Sequence, residues 1–287
     1  MTPVPFSKFH GFGNDYIVIE RPHVGGIELT ELARAICHRH TGAGSDGIAV
    51  LQKLDDSDAD YFCEIVNPDG SAAGFSGNGT RCAVSYLYHN EFWDEPNLRL
   101  ETKSGVKNYS LLESNGMGRY VFEAEIGKPR FAGTEIPFAG TDRDADVIDR
   151  EITFAGETYR VSCVNVGNPV ACIFVSDFNF DWLTAGRGLE IHKAFPERAN
   201  IVFVRVLDGG TIEIRIWERG AGETSASGTC SSGAAVLSAY QGKTGRSVRV
   251  LSEGGITSVN WRSDGEIVLT GSADFVYSGD WPAAAPA

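Results

Sequence analysis

Apolar residues fall in short runs along most of the chain. Tyr16-Ile-Val-Ile19, Ile48-Ala-Val-Leu51, Tyr61-Phe-Cys-Glu-Ile-Val66, Tyr120-Val-Phe122, Ala171-Cys-Ile-Phe-Val175, Ile201-Val-Phe-Val204 and Thr211-Ile-Glu-Ile-Arg-Ile216 are bounded by Gly, Asp, Asn or Pro. Runs of this length between turn-forming residues predict β-strands. Helical spacing is rarer. Thr30 to His38 opens on Thr-Glu and continues Leu-Ala-Arg-Ala-Ile, which predicts a capped helix. Two further stretches, from about Thr80 to His89 and from about Ser231 to Tyr240, are rich in small residues. They predict helices that surrounding strands can enclose tightly.

The last two helices echo one another. One follows Phe75-Ser-Gly-Asn-Gly-Thr80 and the other follows Ala226-Ser-Gly-Thr229, about half the chain apart. Each is strand, polar loop, Ser-Gly and small-residue helix, an internal repeat that predicts two similar domains facing each other. Between Gly127 and Asp149 the pattern breaks at Pro129, Gly133, Pro137 and Gly140 and turns polar at Thr141-Asp-Arg-Asp-Ala-Asp, which marks the connection. The length of 287 residues suits two domains. The expected division is 1–128, joined by residues from about 270 to 287, and 129–269.

Charge narrows the function. The formal net charge is −13 and the Lys and Arg residues are scattered, so no basic face is available for nucleic acid or an anionic membrane surface. No apolar stretch reaches the ~20 residues that span a bilayer. The N-terminus lacks a basic region followed by an apolar core, so the expected location is cytoplasmic. Six cysteines, at 37, 63, 82, 163, 172 and 230, are dispersed without a C-x-x-C pair, which argues against a disulfide framework or a zinc site. There is no Walker-type P-loop, no Gly-x-Gly-x-x-Gly opening a βαβ unit and no His-Glu-x-x-His. Chemistry without a cofactor or metal, on a small molecule, is the simplest expectation.

Two loops are candidate sites. Glycines 77 and 79 leave bare backbone just before a helix, where free N–H groups and the helix dipole suit a carboxylate or phosphate. The loop from Trp217 to Cys230 repeats this arrangement and adds Glu218 and Arg219; the guanidinium suits bidentate grip of a carboxylate. Both loops also have a plain structural reading: a tight turn, with Ser76 or Ser227 as N-cap and Arg219 in a surface ion pair. Asn14, Asn168 and Asn200 stand at strand-to-loop junctions, where asparagine serves turns or fixes polar ligands.

At these residues the sequence resembles diaminopimelate epimerase. The matching segments are Phe9-His-Gly-Phe-Gly-Asn-Asp-Tyr16, Gly42-Ala-Gly-Ser-Asp-Gly47, Asn67-x-Asp-Gly-Ser71, Ser76-Gly-Asn-Gly-x-Arg-Cys82, Gly167-Asn-Pro169, Phe195-Pro-Glu-Arg-x-Asn200 and Glu218-Arg-Gly-x-Gly-Glu-Thr224. The resemblance implies an α/β (α+β) fold of two pseudo-symmetric domains. Each would be a curled β-sheet around a central helix, with the active site in the cleft between them. It implies amino-acid epimerisation without pyridoxal phosphate or metal, in lysine and peptidoglycan biosynthesis, by two-base proton transfer at Cα, and a possible homodimer. By position, the two catalytic roles fall on Ser76 and Ser227. The substrate α-carboxylate falls on the N–H groups of Gly77, Asn78, Gly228 and Thr229. Asn67, Asn168, Asn200, Glu218 and Arg219 would read the distal end, and Asn14 would line the reacting end.

The sequence departs from the family at its centre. Serine stands at 76 and 227 where the family carries catalytic cysteines, and Val170 stands where it usually has histidine. A serine hydroxyl is far less acidic than a thiol and needs an adjacent base. Cys230, three residues beyond Ser227, is a candidate displaced thiol. The departures leave open an inactive or engineered Cys-to-Ser form, an isomerase of another substrate and a non-catalytic ligand-binding relative.

Overall fold

The computed structural model describes residues 3–55, 58–139 and 144–282; residues 140–143 of the polar connection, and 283–287 at the end of the returning segment, lie outside them. The chain divides into two compact units, Met1–Ala124 with Gly271–Ala287, and Glu125–Thr270. The strands Arg119–Gly127 and Ile267–Trp281 each run from one unit into the other.

In the first unit, Val4–Gly11 pairs antiparallel with Asn14–Glu20, which runs parallel to Ile48–Lys53. Tyr61–Val66 follows antiparallel, and Asn97–Thr102 lies parallel to it. Gly105–Ser114 and Arg119–Gly127 complete the series antiparallel. The last strand returns beside the first, from Val4 opposite Trp281 to His10 opposite Asp274. Its Phe275 N–H donates to Gly118 O at 2.8 Å, which curls the sheet round on itself. The second unit repeats this order of pairings. Glu157–Asn165, Pro169–Phe174, Asn200–Asp208, Thr211–Glu218, Ser247–Ser252, Gly255–Trp261 and Ile267–Trp281 succeed one another with the same alternation of antiparallel and parallel neighbours.

Helices take matching places in the two repeats: α1 (Leu29–Ile36) and α2 (Gly77–His89) in the first, α3 (Trp182–Glu190) and α4 (Gly228–Tyr240) in the second. α1 lies on the outside and buries one stripe, Leu32, Ala33 and Ile36. Thr30 does not cap it. The N-cap is Glu28, and the Thr30 hydroxyl reaches across to Gly70 O at 3.2 Å. α2 and α4 are enclosed by their sheets: Asn78 through Leu87 and Thr229 through Ser238 are buried without a break. Small side chains permit this, because strands approach such a helix from every side. Both helices begin three residues earlier than their composition suggests, since Gly77 and Gly228 occupy the first helical position. Among the described residues no helix is long and apolar enough to cross a membrane.

Candidate active site

Each enclosed helix starts from a serine in extended conformation. Ser76 has φ −136 and ψ 119, and its Oγ accepts the Gly79 N–H at 3.1 Å. The first helical bond proper runs from Thr80 N–H to Ser76 O, 2.9 Å. That leaves the N–H groups of Gly77 and Asn78 as the unsatisfied donors of the first turn. Ser227 repeats the arrangement with φ −146 and ψ 126; its Oγ accepts Cys230 N–H at 3.4 Å, and Ser231 N–H reaches Ser227 O at 2.9 Å. Gly228 and Thr229 then hold the spare donors. Two free N–H groups at a helix N-terminus form an anion cradle.

Each serine also meets a titratable side chain that local pattern does not reveal. Tyr16 Oη lies 2.9 Å from Ser76 Oγ. The Tyr16 ring fits because positions 47 and 79 are glycines: a Cβ at either would sit 2.8 Å from its Cε1. In the second unit Ser227 Oγ donates to Glu218 Oε2 at 3.1 Å, while Glu218 Oε1 accepts from the Thr224 hydroxyl at 2.8 Å. Glu218 thus faces a proposed catalytic hydroxyl, beside the distal-end role its position in the family pattern implies. Cys230 is fully buried, and burial followed by the charge of Glu218 pushes its thiol well above the ordinary range. It is a core side chain, not a displaced thiolate.

The asparagines separate into groups. Asn14 and Asn78 come together, with Asn78 Nδ2 donating to Asn14 Oδ1 at 3.1 Å. The fully buried Arg81 donates to Asn78 Oδ1 and, through Nε, to Ser272 O at 2.9 Å. Asn14 Nδ2 in turn donates to Asp46 Oδ2 at 2.8 Å. Asn67 stays within its own turn, donating to Ser71 Oγ at 3.0 Å. In the second unit Asn200 is buried, and its Oδ1 accepts the Arg219 N–H at 2.8 Å. The exposed Arg219 guanidinium donates to Glu197 O at 3.1 Å. Among the described residues the Asn168 side chain makes no hydrogen bond; its carbonyl accepts from Val166 N–H at 3.2 Å.

Asp46 is itself held by a charged cluster. Arg39 grips Asp15 through both terminal nitrogens, at 2.7 and 2.8 Å, and reaches Asp46 Oδ1 at 2.6 Å. Lys8 Nζ lies 2.7 Å from Asp15 Oδ2. Burial alone would raise the Asp15 carboxyl, but hydrogen bonds and charge from Arg39 and Lys8 hold it below the ordinary value. A carboxyl lowered on folding contributes fully above its unfolded value of about 3.9, and that contribution is lost as pH falls through the folded value. Arg39→Met should therefore cost about 1–2 kcal/mol at pH 7, with allowance for the half-exposed guanidinium. The cost should shrink as pH falls from the unfolded value through the folded one. Denaturant unfolding of both proteins at neutral pH and across the acid range measures this; a cost that does not change with pH would refute it.

Comparison with known proteins bears on this geometry. The sequence profile described as diaminopimelate epimerase matches residues 6–131 and 162–276. The chain is 38% identical over 280 residues to the diaminopimelate epimerase of Pelotomaculum thermopropionicum, covering 96% of this chain and 98% of that one. The chain belongs to the diaminopimelate epimerase family. The enzyme of that name from Caldanaerobacter subterraneus is also 38% identical, over 276 residues, with 96% and 98% covered. Solved structures repeat the fold at low identity. A hydroxyproline epimerase from Agrobacterium vitis superposes with a TM-score of 0.70 at 17% identity, covering 98% of this chain and 91% of that one. A PhzF-family phenazine biosynthesis protein from Bacillus anthracis gives 0.67 at 14%, covering 98% and 99%. The fold of this chain, a sheet-rich α+β architecture of two domains as the resemblance implied, is thus shared with these solved structures.

Sequence reading named the N-cap serines and the asparagines as candidates; it did not name Tyr16, Arg81 or Asp46, which hydrogen-bond to Ser76, Asn78 and Asn14. Tyr16 reads locally as one more apolar strand residue. The available signal was the pair of glycines, 47 and 79, that make room for it.

Proposed function

We propose that this protein is a cofactor-independent epimerase of diaminopimelate, acting on LL- and meso-diaminopimelate by proton transfer at Cα, with serines in place of the family's catalytic cysteines. The observation that carries the reading is the pair of N-cap serines, each with two spare N–H donors and a titratable partner. Inverting a carbon requires a proton taken from one face and one delivered to the other. We assign Ser227 with Glu218 to one face and Ser76 with Tyr16 to the other.

In the removing direction, Ser227 Oγ takes the Cα proton as its own proton passes to the Glu218 carboxylate. On the other face Ser76 gives its hydroxyl proton to Cα and takes the phenolic proton of Tyr16. The serines are regenerated, Glu218 ends neutral and Tyr16 ends as phenolate; solvent exchange or the reverse reaction restores both. The α-carboxylate on the spare N–H groups of Gly77, Asn78, Gly228 and Thr229 withdraws charge from the carbanion as it forms, where fixed donors are most effective. Asn14 lines the reacting end, while Asn67, Asn168, Asn200 and Arg219 read the distal amino and carboxylate groups.

The test is exchange of Cα hydrogen with deuterated solvent, followed by NMR, for LL- and meso-diaminopimelate and a panel of other amino acids. Exchange with diaminopimelate in preference to the panel is the expected result. Exchange only with another amino acid would transfer the mechanism to a different substrate. Tight binding of diaminopimelate without exchange would reject the chemistry.

A further inference from the structure

We infer that Glu190 is a positioning residue that fixes the turn bearing Glu218 and Arg219, and that it does so only as a carboxylate. The inference rests on the reading that this turn serves the substrate. Glu190 ends α3 and is buried, 7% exposed. Its two oxygens hold two points that bracket the pair: Oε2 accepts the Trp217 indole N–H at 2.8 Å and Oε1 accepts the Gly220 N–H at 3.0 Å. Arg198 stands 3.5 Å from Oε1 and supplies a counter-charge at the rim. The turn closes through Ala221 N–H to Glu218 O at 3.1 Å, with Gly220 in the left-handed region at φ 77. With Asn200 on Arg219 N–H, two successive turn amides thus end on buried side-chain acceptors.

All three groups facing Glu190 are donors, the Arg198 guanidinium at the rim and the Trp217 indole and Gly220 N–H within. A carboxylate satisfies the indole and the Gly220 N–H together; the amide of glutamine, nearly identical in shape, must turn its NH2 against one of these two. A purely space-filling role would tolerate that exchange. A role in aiming the turn would not, because the Gly220 N–H or the Trp217 indole loses its anchor and the two side chains between them lose their direction.

The experiment compares the whole protein with Glu190→Gln, Trp217→Phe and the double variant. Amide hydrogen exchange at Gly220 should rise about 10-fold in Glu190→Gln, as expected for one lost buried hydrogen bond, with α4 amides unchanged. Calorimetry should show meso-diaminopimelate binding weakened by about 10-fold, and norleucine, which lacks the distal groups, changed less than ~2-fold. In the double variant the glutamine can aim its oxygen at Gly220 and its NH2 towards the vacated indole site. Gly220 protection should then return to within ~3-fold of Trp217→Phe alone. Unchanged Gly220 exchange in Glu190→Gln, equal weakening of both ligands, or no rescue in the double variant would overturn the inference. If the parent protein binds no diaminopimelate, the substrate assignment fails, and Gly220 exchange with its rescue still decides whether Glu190 positions the turn. If Glu190→Gln does not fold, the double variant against Trp217→Phe answers the same question.

Discussion

Replacing both Ser76 and Ser227 with cysteine should raise kcat/KM on LL-diaminopimelate by about 100-fold or more, the scale of a competent general acid–base pair. The exchange of oxygen for sulfur is nearly isosteric. Both positions already accept an N–H of the first helical turn, from Gly79 and from Cys230, so a thiolate at either meets a donor and the positive end of a helix. The surroundings differ, however. Position 76 faces the Tyr16 hydroxyl, which can donate to a thiolate, whereas position 227 faces the Glu218 carboxylate, which opposes one. The thiolate is therefore expected at 76 and the neutral thiol at 227 in the resting double variant. Each single variant should gain much less, because a two-base reaction needs a competent group on both faces. Steady-state kinetics of all four proteins, with alkylation rate against pH for the single cysteine variants, measures both claims. A double variant that folds and is no faster than the parent would show that the two serine positions do not serve this reaction.

Much of the fold was legible in the chain, for a physical reason. Strands buried on one or both faces need apolar residues at short range, and the run Tyr61–Val66 coincides with its strand from end to end. α3 was not legible. It reads Trp-Leu-Thr-Ala-Gly-Arg-Gly-Leu-Glu, and two glycines in nine residues argue against a helix on propensity. Packing explains them: a Cβ at Gly188 would lie 1.9 Å from the Phe154 ring and one at Gly186 2.8 Å from Trp217 Cβ. Here tertiary contact overrides local preference. The same division applies to the site. Ser76 and Ser227 announce themselves through Ser-Gly before a small-residue helix, because capping is local. Tyr16 is 60 positions from the serine it touches, and nothing in the spacing of either residue encodes that contact. Glu218 is only nine positions from Ser227, yet the hairpin that folds one back on the other depends on strand pairing between Ile216 and Thr224.

Glu218→Gln should lower the rate of Cα exchange in the parent protein by about 10²–10³-fold while moving KM little, the signature of a lost general base. Glutamine keeps the shape of the side chain and one oxygen for the Thr224 hydroxyl, but it cannot receive the proton that Ser227 must release. Among the described residues Ser227 Oγ has no other basic hydrogen-bond partner for that proton: the remaining ones are the Thr229 hydroxyl at 3.4 Å and the Cys230 N–H. The same substitution in the double cysteine background should cost less than ~10-fold, because a thiol ionises without a partner base and loses a repelling carboxylate when Glu218 is neutralised. This difference between backgrounds separates two roles for one residue. If Glu218 reads the distal end of the substrate, Glu218→Gln raises KM for diaminopimelate by the same factor in both backgrounds and leaves the maximal rate alone. If it is the base for Ser227, the loss falls on kcat and only where serine occupies position 227. A common loss in kcat across both backgrounds would reject both roles and make Glu218 a scaffold for the turn.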